Sequence, residues 1–319
     1  MQREQASGAG QRLSKFEEES ASQQSVHFAV GAFDCIAVTD GISAFPAAVV
    51  FGNAPGEERD RALSSRGMPT DMVQSSLTSV VVTTGRHRVL IDTGIGPFMP
   101  STGHLLENLR AAGVEPESID VVVLTHGHPD HIGTTIDTAG RPAFPNARIV
   151  MRQGEWDFWT DESNLAKAAA GQLHNLGELD QFMGNWARTY LPPIQDQLDL
   201  IEGTNEEQIV PGIYALPAPG HTTHHMGLII ASGSDQLFNL VDVAINPLHL
   251  AEPTWHPAFD FQPDIAVETR RKLYDRAAAD HARILVYHFP FPGIGHVTRF
   301  GAGWHFEPEL TEVEHPLPE

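Results

Sequence analysis

The chain has 319 residues, one cysteine, and 41 Asp plus Glu against 20 Lys plus Arg, for a formal net charge of −21 at pH 7. That length can bury a large core in one large or two modest domains, and a single cysteine excludes an internal disulfide. The acidity, with no Lys/Arg run longer than Arg270-Arg271-Lys272, argues against the basic footprint that nucleic acid or an anionic membrane requires and leaves small neutral or cationic ligands easiest to admit.

Met1–Gln24 is rich in Gln, Glu, Ser and Gly. It has no apolar segment of the kind a secretory signal or anchor carries, so it reads as a disordered leader before a single domain over 25–319. No later stretch reaches the roughly 20 apolar residues of a spanning helix. A soluble, cytoplasmic protein is expected, and Cys35, set in Phe33-Asp34-Cys35-Ile36-Ala37-Val38, reads as a buried small hydrophobe in a reducing compartment.

In chain order, Ser25 to Val30 and Phe33 to Thr39 read as strands about the turn Gly31-Ala32, and Ser79 to Thr84 pairs with Arg88 to Asp92 around Gly85. Leu105, Leu106 and Leu109 give His104 to Ala112 helical spacing, stopped by Gly113, and the apolar run Asp120 to Leu124 is a short strand that ends at Thr125-His126. The segment near 153–190 is rich in helix formers and aromatics and reads as a helical insert. Strands follow at Gly212 to Leu216, Met226 to Ala231, Gln236 to Leu240 and Arg283 to Tyr287, with a helix opened by proline at Pro263 to Asp280. Val297 to Phe300 and Trp304 to Glu307 pair in a closing hairpin.

Thr125-His126-Gly127-His128-Pro129-Asp130-His131-Ile132-Gly133 puts three imidazoles and a carboxylate on one loop leaving a buried strand. His126 and His128 alternate and can face one site; Asp130 and His131 fall on the next turn and can face a neighbouring one. Imidazoles packed this closely repel on protonation, and metal coordination removes that penalty by holding them neutral.

This stretch resembles the His-x-His-x-Asp-His signature of the metallo-β-lactamase superfamily. Leu90-Ile91-Asp92-Thr93-Gly94, Pro219-Gly220-His221-Thr222, Leu240-Val241-Asp242 and Val286-Tyr287-His288 match the family's other motifs, with Val241 where glycine is often found. The resemblance covers about Ser79 to Gly295. It implies an α/β fold, a four-layer αβ/βα sandwich of two mixed sheets flanked by helices. It implies two divalent metal ions, one on His126, His128 and His221 and one on Asp130, His131 and His288, with Asp242 bridging them. Asp92 would sit behind the ligands, accepting a histidine N–H and fixing its tautomer. All seven ligands are N or O donors, which makes zinc the default and leaves manganese, cobalt and iron open.

By the same resemblance, a metal-bridging hydroxide attacks the substrate, and Asp130 and Asp242 are the catalytic carboxylates. Within the superfamily, His288-Phe289-Pro290-Phe291-Pro292-Gly293-Ile294-Gly295-His296-Val297 looks like the branch of methyl parathion hydrolase and quorum-quenching lactonases. A lactonase opening acyl-homoserine lactones or similar ring esters is the first expectation. Aryl phosphotriester hydrolysis is the second, and thioester hydrolysis or iron-dependent redox chemistry are further alternatives. A homodimer is implied by family alone. No P-loop and no Gly-x-Ser-x-Gly elbow occurs, so no organic cofactor is expected. Trp156, Trp159, Phe182, Trp186, Trp255 and Phe291 are candidates for an apolar substrate pocket, although each taken singly reads first as core. His224 and His225 read as solvent or helix-start residues, and His296 as support for its loop.

Overall fold

Side chains alternate across a strand, and in this chain both alternating sets are apolar along the central strands. A computed structural model describes residues 23–309, so all but the last two residues of the expected leader lie outside the described residues. The first sheet has seven strands in sequence order: β1 (Ser25–Val30), β2 (Phe33–Pro46), β3 (Met72–Thr83), β4 (Arg88–Ile91), β5 (Val121–Val123), β6 (Arg148–Arg152) and β7 (Leu198–Ile201). The second sheet has seven as well: β8 (Glu207–Val210), β9 (Ile213–Pro217), β10 (Met226–Ser232), β11 (Asp235–Asn239), β12 (Arg283–Leu285), β13 (Ile294–Phe300) and β14 (Gly303–Pro308). Both sheets are mixed. Strands β4 to β7 run parallel and β1 to β4 antiparallel, while β11 and β12 form the parallel pair of the second sheet.

The layering follows from the alternation. Val80, Val82, Val89, Ile91, Val121 and Val123 point inward and meet Ala215, Leu228, Ile230 and Leu237 of the opposite sheet. Val81, Leu90 and Val122 point outward beneath Leu105, Leu109, Trp159 and Met183 of the helices. On the far side Ile229, Phe238 and Ile284 pack under Leu273, Tyr274 and Ala277 of helix Pro263–Ala279. Helix, sheet, sheet and helix therefore stack in four layers, the αβ/βα sandwich that the family resemblance implies.

Helices Gln153–Thr160, Glu162–Ala169 and Glu178–Tyr190 occupy the segment read as helical and form the crossover between parallel β6 and β7. Helix Gly56–Ser64 and strands β6 to β8 were not anticipated. Ile149, Val150 and Met151 of β6 are buried on both faces, so that strand lacks the polar alternation that announces a half-buried one. Among the described residues no helix is long and apolar enough to cross a membrane.

The segment after β11 is held by Arg270, a buried cation on helix Pro263–Ala279. Its Nε donates to the carbonyl of Val243 at 2.7 Å, and Nη1 donates to those of Trp255 at 2.6 Å and Pro253 at 3.2 Å. Hydrogen bonds from a charged donor contribute more than neutral ones, and removing this donor strands three carbonyls. Arg270→Met is expected to lower the unfolding free energy by on the order of 3 kcal/mol, read from urea denaturation. A loss below about 1 kcal/mol would mean that water replaces the guanidinium without cost.

Candidate metal centre

The loops that carry the expected ligands all leave strands that stop at the same edge of the sandwich. Strand β4 runs out into Asp92, β5 into Thr125-His126, β9 into the loop of His221, β11 into Asp242 and β12 into the loop of His288. Because β3 is antiparallel to β4, its beginning lies at that edge too, bringing Ser75 and Ser76 alongside. His128 stands just before Pro129, whose ring starts the turn Pro129–Ile132. That turn carries Asp130 and His131 round to the side of His288, with the His131 ring still 4.1 Å from that of His126 between centroids.

The seven expected ligand side chains converge. His126, His128 and His221 form one group, Asp130, His131 and His288 another, and His126, His131 and Asp242 a third, the ligand atoms of each lying within 4.8 Å of one another. His128 Nδ1 lies 3.0 Å from His126 Nε2 and 2.9 Å from His221 Nε2. Asp242 Oδ2 occupies the middle, 3.1 Å from His221 Nε2, 3.3 Å from His288 Nε2, 3.4 Å from His131 Nε2 and 3.8 Å from His126 Nε2. Asp130 Oδ2 is 3.4 Å from His288 Nε2, and its Oδ1 is 3.8 Å from His131 Nε2.

The outer atoms of the imidazoles decide which way the inner lone pairs point. His131 Nδ1 donates to Asp92 Oδ2 at 2.9 Å, His221 Nδ1 to Asp260 Oδ1 at 2.8 Å, and His288 Nδ1 to the carbonyl of Ser76 at 3.1 Å. Thr125 gives its hydroxyl proton to Asp92, which leaves its oxygen to accept from His126 Nδ1 at 3.1 Å. In these four rings the inner Nε2 is thereby left with a bare lone pair. His131 Nε2 and Asp242 Oδ1 are buried with no hydrogen-bond partner. Lone pairs and a carboxylate aimed at one another in a dry interior are stable only around cations, so the donor set fits a pair of divalent ions.

Without a cation the electrostatics pull the rings apart. Burial, then His131 and His128, press His126 well below the usual imidazole range, and burial with His221 does the same to His128. Burial also opposes protonation of His221, but hydrogen bonds to Asp242 and Asp260 outweigh it and raise the ring to about 9. His131 is likewise held well above the usual value, with Asp242, Asp92 and Asp130 overcoming burial. Four adjacent imidazoles with such opposed preferences, His126 and His128 against His131 and His221, form a set tuned for ligation.

Two residues of the cradle have left-handed backbone. Asp92, at φ 59°, tolerates it and uses the turn to accept from Thr125 N–H and Oγ1–H as well as from His131. Val241, at φ 45°, is β-branched and buried against Leu77, Ile95 and Tyr287. A conformation that glycine would adopt freely is thus strained immediately before Asp242.

Above Asp130, Asp242 and His288 lies a cavity of about 50 Å³ walled by Phe45, Ile95, Leu179, Phe182, Met183, Ile245 and Phe259, with no lysine or arginine in its lining. Of the aromatic candidates Phe182 lines it. Trp186 stands one layer back, with Phe182 and the half-exposed Phe98 packed on it at centroid distances of 4.5 and 5.5 Å. Trp159 is buried edge-on to His128, Trp156 packs into the helical layer, Trp255 sits against Phe51 in a separate cluster, and Phe291 belongs to the core between the sheets. His225 corrects the expectation of a solvent or helix-start residue: it is buried, donates from Nδ1 to the carbonyl of Ala218, and receives Asp242 N–H at Nε2. His296 lies within β13.

Sequence reasoning missed Asp260, Asp40, Glu155 and Phe259. Asp40 accepts backbone N–H bonds from Ile95, Gly96 and Leu105 and so fixes the loop beyond Asp92. The signal for Asp260 was faint: one acid between Phe259 and Phe261.

A family model described as the metallo-beta-lactamase superfamily matches residues 74–235, just over half of the chain, a span that includes Asp92 and His221 and stops before Asp242 and His288. An N-acyl homoserine lactonase of Bacillus thuringiensis is 23% identical over 184 residues, 57% of this chain and 61% of that protein. The chain spans less than two thirds of the length of the curated relatives it matches, 61% for that lactonase and 30% for a Mus musculus metallo-beta-lactamase domain-containing protein. Among solved structures, AidC, a dizinc quorum-quenching lactonase in complex with a product, superposes with a TM-score of 0.79 at 26% identity, covering 90% of this chain and 98% of that one. The hydrolase AbOPH of the beta lactamase superfamily superposes with a TM-score of 0.81 at 25% identity, covering 91% and 98%.

If Asp92 orients His131, Asp92→Asn is expected to lower the affinity of one of two bound divalent ions by roughly 10- to 100-fold, measured by chelator competition. Unchanged affinity for both ions would remove Asp92 from the cradle. Returning zinc to chelated protein at about 100 times its dissociation constant is expected to add roughly 2.7 kcal/mol of stability for each site filled, visible as a raised Tm.

Proposed function

The chain belongs to the metallo-β-lactamase superfamily, and from that membership we propose that it is a dinuclear metal-dependent hydrolase that opens acyl-homoserine lactones or similar ring esters. The observation that carries the two-ion reading is the position of Asp242 Oδ2, within 3.8 Å of an imidazole nitrogen from each of His126, His131, His221 and His288. His126, His128 and His221 would hold one ion, Asp130, His131 and His288 the other, and Asp242 both. Bound there, two divalent ions supply a nucleophile from water at neutral pH and positive charge for a developing oxyanion. Zinc suits a set of imidazoles and carboxylates, and AidC is a dizinc enzyme.

The remaining chemistry belongs to the chain. Asp130 lines the cavity and its carboxylate is partly exposed, so it can take the proton released as water adds to the ester carbonyl. It returns that proton to the ring oxygen as the C–O bond breaks, and the product is a hydroxy acid. The walls of Phe45, Ile95, Leu179, Phe182, Ile245 and Phe259 give the space over the ligands an apolar face, and because the cavity holds only about 50 Å³, taking up an acyl tail requires these side chains to move apart. A lining free of lysine and arginine favours a neutral substrate over one carrying a carboxylate, which speaks against a glutathione thioester. The aromatic pair Phe182 and Phe98, centroids 4.4 Å apart, supports an aryl phosphotriester as the second reading. Family resemblance supports a homodimer, and the single buried Cys35 a reducing cytoplasm.

The test is kcat/KM of the metal-replete protein on a series of acyl-homoserine lactones beside an aryl phosphotriester, with Asp242→Asn as control. A lactone preference of tenfold or more, corresponding to about 1.4 kcal/mol, abolished in the control, is the expected result. A phosphotriester preference of that size would reverse the two readings. Activity on neither, with two ions bound, would reject both substrate classes. The same series is expected to rise in kcat/KM with acyl length, by up to about fourfold for each methylene that the apolar walls bury, while Phe182→Ala flattens the trend.

A further inference from the structure

Helix Gln153–Thr160 carries a carboxylate for which the proposed chemistry has no use. Glu155 is buried and accepts four hydrogen bonds. Its Oε2 receives Gly127 N–H and Trp159 Nε1–H, each at 3.1 Å, while Oε1 receives the Thr222 hydroxyl and His224 N–H, the latter at 3.1 Å. All four partners are donors, and a carboxylate, an acceptor at both oxygens, is the side chain that matches them.

The partners' positions in the chain give the arrangement its meaning. Gly127 stands between His126 and His128, and Thr222 and His224 follow His221. The first loop leaves β5 of one sheet, and the second precedes β10 of the other. Close approach of the helix to both loops is built in. A Cβ on Gly127 would lie 2.1 Å from Trp159 Cδ1, and one on Gly154 would lie 2.5 Å from the His224 ring. Asp130, His131 and His288 have their own supports in Asp92 and Ser76, and none of Glu155's hydrogen bonds reaches the loops' second group.

We propose that Glu155 is a positioning residue that ties the two histidine loops together from behind and preforms the site of His126, His128 and His221, leaving the site of Asp130, His131 and His288 to other supports. The proposal rests on reading those residues as ligands of two ions. One carboxylate then sets the spacing of three ligands delivered by two different sheets, and its removal loosens one ion while sparing the other.

The test uses the full chain, stripped of metal and titrated with zinc against a chromophoric chelator. Wild-type protein is expected to bind in two steps, and His221→Ala identifies the step that belongs to the three-histidine site. Glu155→Gln, which turns an amide N–H₂ toward a donor, is expected to weaken that same step by roughly 10- to 100-fold and to leave the other within about twofold, with an unchanged near-UV circular dichroism spectrum. Trp159→Phe, which removes one donor and keeps the ring, is expected to weaken the same step by a smaller factor. That variant carries the comparison alone if Glu155→Gln does not accumulate as folded protein. Wild-type constants at both steps, or equal weakening of both, overturn the proposal and leave the two-ion reading standing. Wild-type protein that takes up fewer than two ions overturns the two-ion reading and the clamp with it.

Discussion

The constraint on which the rest of the molecule depends is the crowding of five imidazoles and two carboxylates into one dry volume. His126 Nε2, His128 Nδ1 and His221 Nε2 stand about 3 Å apart in sequence, a spacing at which bare lone pairs repel and protonated rings repel more strongly. The fold resists that repulsion from behind four of the five rings. Carboxylates at Asp92 and Asp260, a carbonyl at Ser76 and a hydroxyl at Thr125 take the outer protons and turn the inner lone pairs toward a common centre. The sandwich serves this purpose through its strand ends: two sheets meeting at one edge let loops from both halves of the chain deliver ligands to the same place.

Much of this was legible in the sequence, for local reasons. Val80 to Val82, Val89 to Ile91 and Val121 to Val123 are short β-branched and apolar runs bounded by turn residues, and each became a strand at the expected place. The histidine loop was legible because four chemically unusual side chains sit within six positions. Asp242 and His288 could be singled out only through family resemblance, since one acid or one histidine after a strand carries little information. The geometry brings them to the same centre all the same.

What escaped notice was tertiary in origin. Asp260 meets His221 across 39 residues and Glu155 meets Thr222 across 67, and no periodicity encodes a partner at that separation. Aromatic residues could be counted but not aimed. Phe182 faces the cavity and Trp255 faces Phe51, a difference decided by which surface each helix or loop presents to its neighbours. His225 is the instructive case: next to His224 in sequence, it is held inward by tertiary partners, the carbonyl of Ala218 at Nδ1 and the N–H of Asp242 at Nε2.

The ligand set also has a topological meaning. His128 and His221 are separated by 93 residues and come from opposite sheets, so an ion shared between them closes a long loop of chain. In an unfolded polymer, a covalent link of that span removes conformational freedom equivalent to about 4 to 5 kcal/mol. A protein with a single cysteine has no sulfur bridge with which to make such a link. With ions bound as proposed, the same ligands would act as a staple between the two halves of the sandwich, and the stability of the folded chain would then follow the supply of metal.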